Sequence, residues 1–205
     1  DDPSTRTAAL RVLVLLENAT HTRRALKRVR RLLAEEPDAA DAQVAQVVLL
    51  MRTGQKDRAK TVITTVPPVD DDELRSELDR VRARLAIDAK QVEDALEASK
   101  AALRANPKSN ASLALHIEAL LLAKKTDRAQ AFAGQLLKRK PIDEDPYVWL
   151  ERIEAAKRNK RKAKDMKLRS MGFKSELAKL EHVVKVREDV LRGVRDAESS
   201  DIGAA

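Results

Sequence analysis

Apolar residues recur along most of the chain every three or four positions, which is the spacing of one face of an α-helix. Two clear examples are Leu74, Leu78, Val81, Leu85 and Leu113, Ile117, Leu120, Leu121. Short polar segments such as 53–56 and 124–127 separate these stripes. Connections of that length join antiparallel helices. The pattern therefore predicts a series of helical hairpins and no sheet.

The predicted hairpins repeat at a near-constant step. Alanines that follow a short polar stretch are spaced by 34, 36, 34 and 34 residues: Ala25, Ala59, Ala95, Ala129 and Ala163. Three of them precede a proline by twelve positions: Pro37, Pro107 and Pro141. An alanine allows two helices to cross closely, and a proline ends the second helix of a pair. The same helix pair is thus expected several times in succession.

With this step, the alanines, the prolines and Gly54, the chain resembles the tetratricopeptide repeat (TPR) family. The resemblance implies an all-α fold, a right-handed α-solenoid of about five TPR-like hairpins followed by a C-terminal capping helix. The expected units lie near residues 5–37, 39–68, 73–107, 109–141 and 145–171, and the capping helix covers 174–195. All of these form one repeat domain over residues 1–198, and residues 199–205 are expected to be a disordered tail.

A second resemblance concerns the segment 141–150, which contains Trp149, together with Gly172 further on. This stretch is similar to the C-terminal TPR half of periplasmic zinc metallopeptidases, although the HExxH motif of their protease half is absent. The resemblance implies an accessory substrate-binding module of a larger enzyme, as one alternative function.

Composition narrows the possible classes further. The 205 residues include four aromatic residues, five Gly and no Cys. Such a chain does not suit a β-sandwich, and it can form neither a disulfide framework nor a thiolate zinc site. Its longest apolar runs have five residues, so no membrane span is expected. The chain starts at Asp1 without a recognisable targeting segment, which leaves both cytoplasm and periplasm open. The sequence does not determine the oligomeric state.

The sequence offers few groups that could catalyse a reaction. His21, His116 and His182 are isolated from one another, and the glycines are scattered rather than grouped into a phosphate loop. We therefore expect a protein that is not an enzyme and that holds no metal and no cofactor.

Positive charge is concentrated near the C-terminus. The formal net charge is +8, and residues 157–169, hereafter the basic segment, contain one acid beside eight basic residues. These are Lys157, Arg158, Lys160, Arg161, Lys162, Lys164, Lys167 and Arg169. The segment could bind nucleic acid or another polyanion, an acidic protein tail, or act as an import signal, or it is simply a solvated face. No aromatic residue interrupts it, so it lacks a platform for stacking bases.

The TPR resemblance implies that the first helix of each pair lines a concave groove that binds a segment of a partner protein. The expected groove residues are Asn18, Val48, Arg52, Arg80, Arg84, Glu118, Leu122 and Arg152. Arginines at such positions can hold carboxylates bidentately. The clamp that binds the acidic C-terminus of heat-shock chaperones is missing, because Leu10, Val14, Ala45 and Ala114 stand at the matching positions. The expected function is a non-catalytic scaffold or adaptor.

Overall fold

The computed structural model describes residues 19–141 and 144–202, and within these ranges it contains nine α-helices and no strand. The helices are α1 (Ala19–Glu35), α2 (Ala40–Arg52), α3 (Lys56–Ile63), α4 (Asp72–Asp88), α5 (Val92–Ala105), α6 (Asn110–Leu122), α7 (Thr126–Lys138), α8 (Pro146–Ala156) and α9 (Lys160–Ile202). The predicted all-α helical-repeat class is confirmed. The chain forms two compact units, one up to Arg139 and one from Lys140 onward, where the sequence predicted one repeat domain.

Side chains cap free backbone N–H groups at the start of several helices, among them α9, where the Asn159 side chain accepts from the Lys162 N–H at 3.2 Å. The Asp71 carboxylate accepts from the Leu74 N–H at 2.9 Å, and the Ser109 hydroxyl accepts from the Ser112 N–H at 3.1 Å. At the start of α8, Asp145 has the same role and Pro146 follows directly, where its missing N–H costs nothing. The sequence thus encodes where α4, α6 and α8 begin.

A single turn geometry closes the first helix of each pair. A residue with positive φ follows α2, α4, α6 and α8: Gly54 (76°), Lys90 (58°), Lys124 (57°) and Arg158 (60°). At each site the next N–H bonds back to a carbonyl five residues earlier, as in Gln55 N–H to Leu50 O at 2.9 Å. This is the Schellman motif, which satisfies the last carbonyls of a helix. The repeat is therefore visible in the backbone, even though only one of the four turns uses glycine.

The first unit is held together by small and aliphatic side chains. The repeat alanines Ala25, Ala59, Ala95 and Ala129 are at most 2 % exposed, as a close helix crossing requires, whereas Ala163 in the second unit is only half-buried. Each first helix packs on its own second helix, as in α2 with α3, α4 with α5 and α6 with α7. In addition α2 packs against α4, and α4 against α6. The three first helices therefore form one layer.

The second unit differs from the prediction at its long helix. The sequence predicted a fifth unit ending near residue 171 and a separate capping helix over 174–195, whereas α9 runs unbroken from Lys160 to Ile202. One exposed glycine, Gly172, costs only about 1 kcal/mol in a helix and does not break it. Residues 199–202 of the expected tail belong to α9, and 203–205 lie outside the described residues.

Ser170 anchors α9 to α8. A serine stands here in place of an apolar residue. In the structure it is 4 % exposed and its hydroxyl donates to Asp145 Oδ2 at 2.5 Å. The same aspartate caps α8 through its other oxygen. A buried polar residue with a satisfied hydrogen bond is compatible with the packed interface.

Candidate functional site

The exposed side of the first-helix layer is the first candidate surface. Five predicted groove residues lie on the first helices, Arg52 on α2, Arg80 and Arg84 on α4, and Glu118 and Leu122 on α6, and we call these five residues the first-helix face. Arg52 is exposed and the other four are half-buried. The structure thus brings residues from three repeats onto one layer of helices.

The remaining predicted groove residues lie elsewhere. Val48 is 3 % exposed within the hydrophobic core, so its prediction as a groove residue is corrected. Its helix α2 is buried on most sides, which leaves no room there for a partner to reach the valine. Asn18 lies outside the described residues. Arg152 belongs to α8 in the second unit, where its guanidinium lies 4.9 Å from the centre of the Trp149 ring.

Two arginines of the first-helix face are already paired with carboxylates. Arg80 forms an ion pair with Glu77 one turn earlier on α4. Arg84 Nη2 lies 2.8 Å from Glu118 Oε2 and so connects α4 to α6. The two partners of this second pair are 40 % and 21 % exposed, so solvent reaches them and the pair contributes little energy. A carboxylate from another protein would have to displace an internal one.

Leu122 supplies apolar surface at the end of α6. It packs with Ile87 and Leu96 around a small cluster formed by Ala86, Ala95 and Ala119. Because the leucine is half-buried, part of its side chain stays available for contact.

In the second unit the basic segment forms an exposed surface. All of its eight basic residues are exposed, from the turn at Lys157 to Arg169 on α9. The single acid in the segment, Asp165, accepts from Arg169 Nε at 3.1 Å. Two apolar side chains on the same helix, Leu168 and Met171, are about three-fifths exposed at 59 % and 61 %.

A third surface, which the sequence did not predict, is a cleft of about 1140 Å³ between α5 and α7, which we call the α5–α7 cleft. Residues of α6 form its floor. Its apolar lining consists of Leu96, Leu103, Pro107, Leu120, Ala131 and Phe132. Its charged lining consists of Glu93, Glu97, Lys100, Arg104, Lys125 and Arg128.

His116 lies at the floor of this cleft. Its side chain is 7 % exposed, and Nδ1 is 2.9 Å from the Ser99 hydroxyl. The ring meets Phe132 edge to face, with 4.8 Å between the ring centres. Burial lowers the pKa of His116 below its ordinary value, and the nearby Lys100 lowers it further. The imidazole is therefore neutral at pH 7 and serves as a packed, hydrogen-bonded part of the floor.

The linear sequence gives no signal that Ser99, His116 and Phe132 lie close together, because they come from three different helices. One indirect signal was present in α5. Its fully buried residues are the small ones, Ala95, Ser99 and Ala102, while its two leucines lie on a different, partly exposed side. Large apolar side chains outside the packed stripe of a helix point to an additional surface.

The part of the chain that the structure describes contains no group of three or more His, Asp or Glu residues arranged to hold a metal ion. None of its helices combines the length and apolar character needed to cross a membrane.

Comparison with known proteins supports the repeat fold. Residues 19–85 match the family model of the tetratricopeptide repeat. Among solved structures, MamA (41-end) from Desulfovibrio magneticus RS-1 is similar, with 16% identity, a TM-score of 0.59, and coverage of 76% of this chain and 87% of that chain. A MamA RS-1 double mutant, ArsTM, gives 15% identity, a TM-score of 0.58, and coverage of 76% and 86%. No curated protein matches the sequence.

These likenesses confirm the resemblance to the TPR family, and at such low identity the structural ones speak for the fold alone. In general, proteins with tetratricopeptide repeats are protein-interaction scaffolds. The resemblance to the C-terminal half of periplasmic zinc metallopeptidases finds no support among these comparisons.

Proposed function

We propose that this protein is a non-catalytic scaffold that binds a segment of a partner protein on its first-helix face. The observation that supports this most is the Arg84–Glu118 ion pair, which places opposite charges from two successive repeats side by side on a partly exposed layer. An extended or helical segment that lies across α4 and α6 would meet both charges and the apolar side of Leu122.

Recognition would proceed by exchange of carboxylates. Partly exposed ion pairs such as Arg80–Glu77 and Arg84–Glu118 contribute about 0–1 kcal/mol each. An acidic side chain of the partner can therefore replace the internal glutamate at small cost and bind the guanidinium with two hydrogen bonds. Arg52 would add charge at the edge of the face. Apolar contacts, including those with Leu122, would supply most of the affinity, and the arginines would fix the orientation.

The test is affinity capture of partners with the wild-type chain beside the Arg80→Gln, Arg84→Gln double variant. We expect the variant to lose a protein that the wild type retains, since both guanidinium groups are gone. The matched control is Lys27→Gln with Arg28→Gln, which removes two exposed charges from α1 and should leave capture unchanged. Capture of the same proteins by wild type and the Arg80, Arg84 variant would contradict the proposal.

A charge swap separates recognition from structure. The double variant Arg84→Glu, Glu118→Arg keeps an ion pair between α4 and α6 but exchanges the positions of the two charges. We expect thermal stability close to that of the wild type together with loss of the captured partner. A swapped protein that is stable and still binds would show that the pair has only a structural role.

The exposed basic segment supports a second candidate function, binding of a nucleic acid or another polyanion. Apart from the Asp165–Arg169 pair, no acid within the segment offsets its charges. Titration with labelled RNA and DNA at two salt concentrations tests this. Binding through the segment requires a steep salt dependence, and neutralising Lys160, Arg161 and Lys162 should reduce the slope of log K against log salt by about 3. An unchanged slope would exclude the segment as the site. No observation favours the third alternative, an accessory module of an enzyme.

A further inference from the structure

The α5–α7 cleft has the shape of a seat for one additional helix. The residues that α5 contributes recur at helical spacing along one face, from Glu93 through Leu96 and Lys100 to Leu103, and Pro107 lines the cleft just beyond the end of the helix. On the opposite wall, α7 contributes Arg128, Ala131 and Phe132 at the same kind of spacing. Two helical walls above a floor formed by α6 make a groove into which a helix can lay an apolar face.

The charged side chains around the cleft form no ion pair within the described part of the chain. Lys100 and Arg104 on α5, Lys125 at the start of α7 and Arg128 on α7 are all exposed. None of these four side chains forms an ion pair or a hydrogen bond with another described residue. Two acids, Glu93 and Glu97, lie on the α5 wall and are likewise without such a partner. The rim is thus positive on balance, and its cations are available to a ligand.

We propose that the α5–α7 cleft binds an acidic amphipathic helix of a partner protein. The apolar face of that helix lies on Leu96, Leu103 and Phe132, and its carboxylates pair with Lys100, Arg104, Lys125 and Arg128. This surface is distinct from the first-helix face, so the proposal goes beyond the function proposed above and does not depend on it.

Size and chemistry favour a helix over other ligands. The cleft, at about 1140 Å³, exceeds the 300–1,000 Å³ typical of small-molecule pockets. A nucleic acid needs a free aromatic face for stacking or a purely basic track, whereas Phe132 is engaged edge to face with His116 and Glu93 and Glu97 repel phosphates. The apolar lining offers a polyanion no favourable contact, whereas it can pack against the leucines of an amphipathic helix.

The probe is a fluorescein-labelled synthetic peptide of about four helical turns, with Leu on one face and Glu on the other. One control peptide keeps the apolar residues and carries Lys in place of Glu. The other keeps the acidic residues and carries Ser in place of Leu. Fluorescence anisotropy measures the binding of each peptide to the full chain. We expect the acidic amphipathic peptide to bind and each control to bind about tenfold more weakly or worse.

Protein variants then locate the site. Lys100→Glu with Arg128→Glu should weaken binding of the acidic peptide by about tenfold or more, because two attractions become repulsions. Lys27→Glu with Arg31→Glu on α1 changes the net charge equally and should have no such effect. Ala131→Trp, at an exposed position in the cleft, should block binding without any change of charge. Circular dichroism confirms that each variant remains helical.

Three outcomes would overturn the proposal. The first is binding of the Lys-containing peptide as tight as that of the acidic peptide. The second is a loss of affinity in the α1 variant as large as in the Lys100→Glu, Arg128→Glu variant. The third is displacement of the peptide by a single-stranded oligonucleotide that itself depends on Lys100 and Arg128. If the peptide instead loses affinity only in the Arg80→Gln, Arg84→Gln variant, the cleft proposal fails while the first-helix face gains support.

Discussion

The first-helix face and the α5–α7 cleft share one helix and differ in the state of their charges. On the face, Arg80 and Arg84 are satisfied by Glu77 and Glu118. At the cleft, Lys100 and Arg128 have no partner among the described residues. Paired charges hold the repeats together, and a partner's carboxylate binds there only by exchange with the internal one. Unpaired charges gain an ion pair only when a ligand binds. The second kind of surface is the clearer sign of a missing partner.

The largest effect is expected from the shared helix α6. Ile117 is fully buried between the residues that α6 gives to the face and those it gives to the cleft. Ile117→Ala should lower the free energy of unfolding by about 2–5 kcal/mol, since it removes buried methyl groups and leaves a cavity. Urea denaturation measures this change, with Ile117→Val as the milder control at about 0.5–1.5 kcal/mol. A loss below that of the valine variant would mean that α6 is not the common support of both surfaces.

The cleft floor should make stability depend on pH. Burial and Lys100 lower the pKa of His116, so the folded chain takes up its proton only below the ordinary value of 6.5. The unfolded chain binds that proton already near pH 6.5. The free energy of unfolding should therefore fall as the pH drops below 6.5 and reach its full value above it.

Comparison of urea denaturation curves for wild type and His116→Gln across this range isolates the effect. The wild-type protein should lose more stability than the variant on going from neutral to mildly acidic pH. Parallel curves would mean that His116 is not held neutral in the cleft.

A smaller effect concerns the repeated turns. Lys90 and Lys124 adopt the left-handed conformation that glycine adopts freely at Gly54. The left-handed conformation costs a residue other than glycine about 1–2 kcal/mol, which is partly offset by the entropy that glycine loses on folding. Lys90→Gly or Lys124→Gly should thus raise the free energy of unfolding by about 0.5–1 kcal/mol. Neither lysine lies on the first-helix face or lines the cleft, so binding to both surfaces should persist.

The smallest effect contrasts the two surfaces directly. Arg84→Gln should cost up to about 1 kcal/mol, because it breaks the pair with Glu118. Lys100→Gln should leave stability nearly unchanged, because Lys100 forms no ion pair and its repulsion from Arg104 is offset by its attraction to Glu97 one turn earlier. Thermal denaturation at low and high salt measures both, and salt should shrink the cost of Arg84→Gln. A greater loss from Lys100→Gln than from Arg84→Gln would reverse the comparison.

Much of the fold could be predicted from the sequence because its signals are local. The step between alanines and the polar connections fixed the helix pairs, and the buried Ala59, Ala95 and Ala129 agree with it. The break expected near Gly172 was wrong, since a lone glycine without a proline does not end a helix.

The surfaces were less predictable because they depend on contacts between repeats. Spacing along α2 placed Val48 on the groove side, but it cannot reveal that Val48 lies in a core built from residues of several helices. The Arg84–Glu118 pair joins residues one repeat apart, so it follows only from the way α4 and α6 pack. The cleft needs three helices at once and could be suspected only from the two leucines on the outer side of α5.

Hydrogen–deuterium exchange on the full chain, with and without the captured partner, shows which surface of the proposed scaffold binds it. A partner bound on the first-helix face should slow exchange in α4, and a partner bound in the cleft should slow exchange in α5 and α7. Protection confined to the basic segment at residues 157–169, with α4, α5 and α7 unchanged, would contradict both proposals.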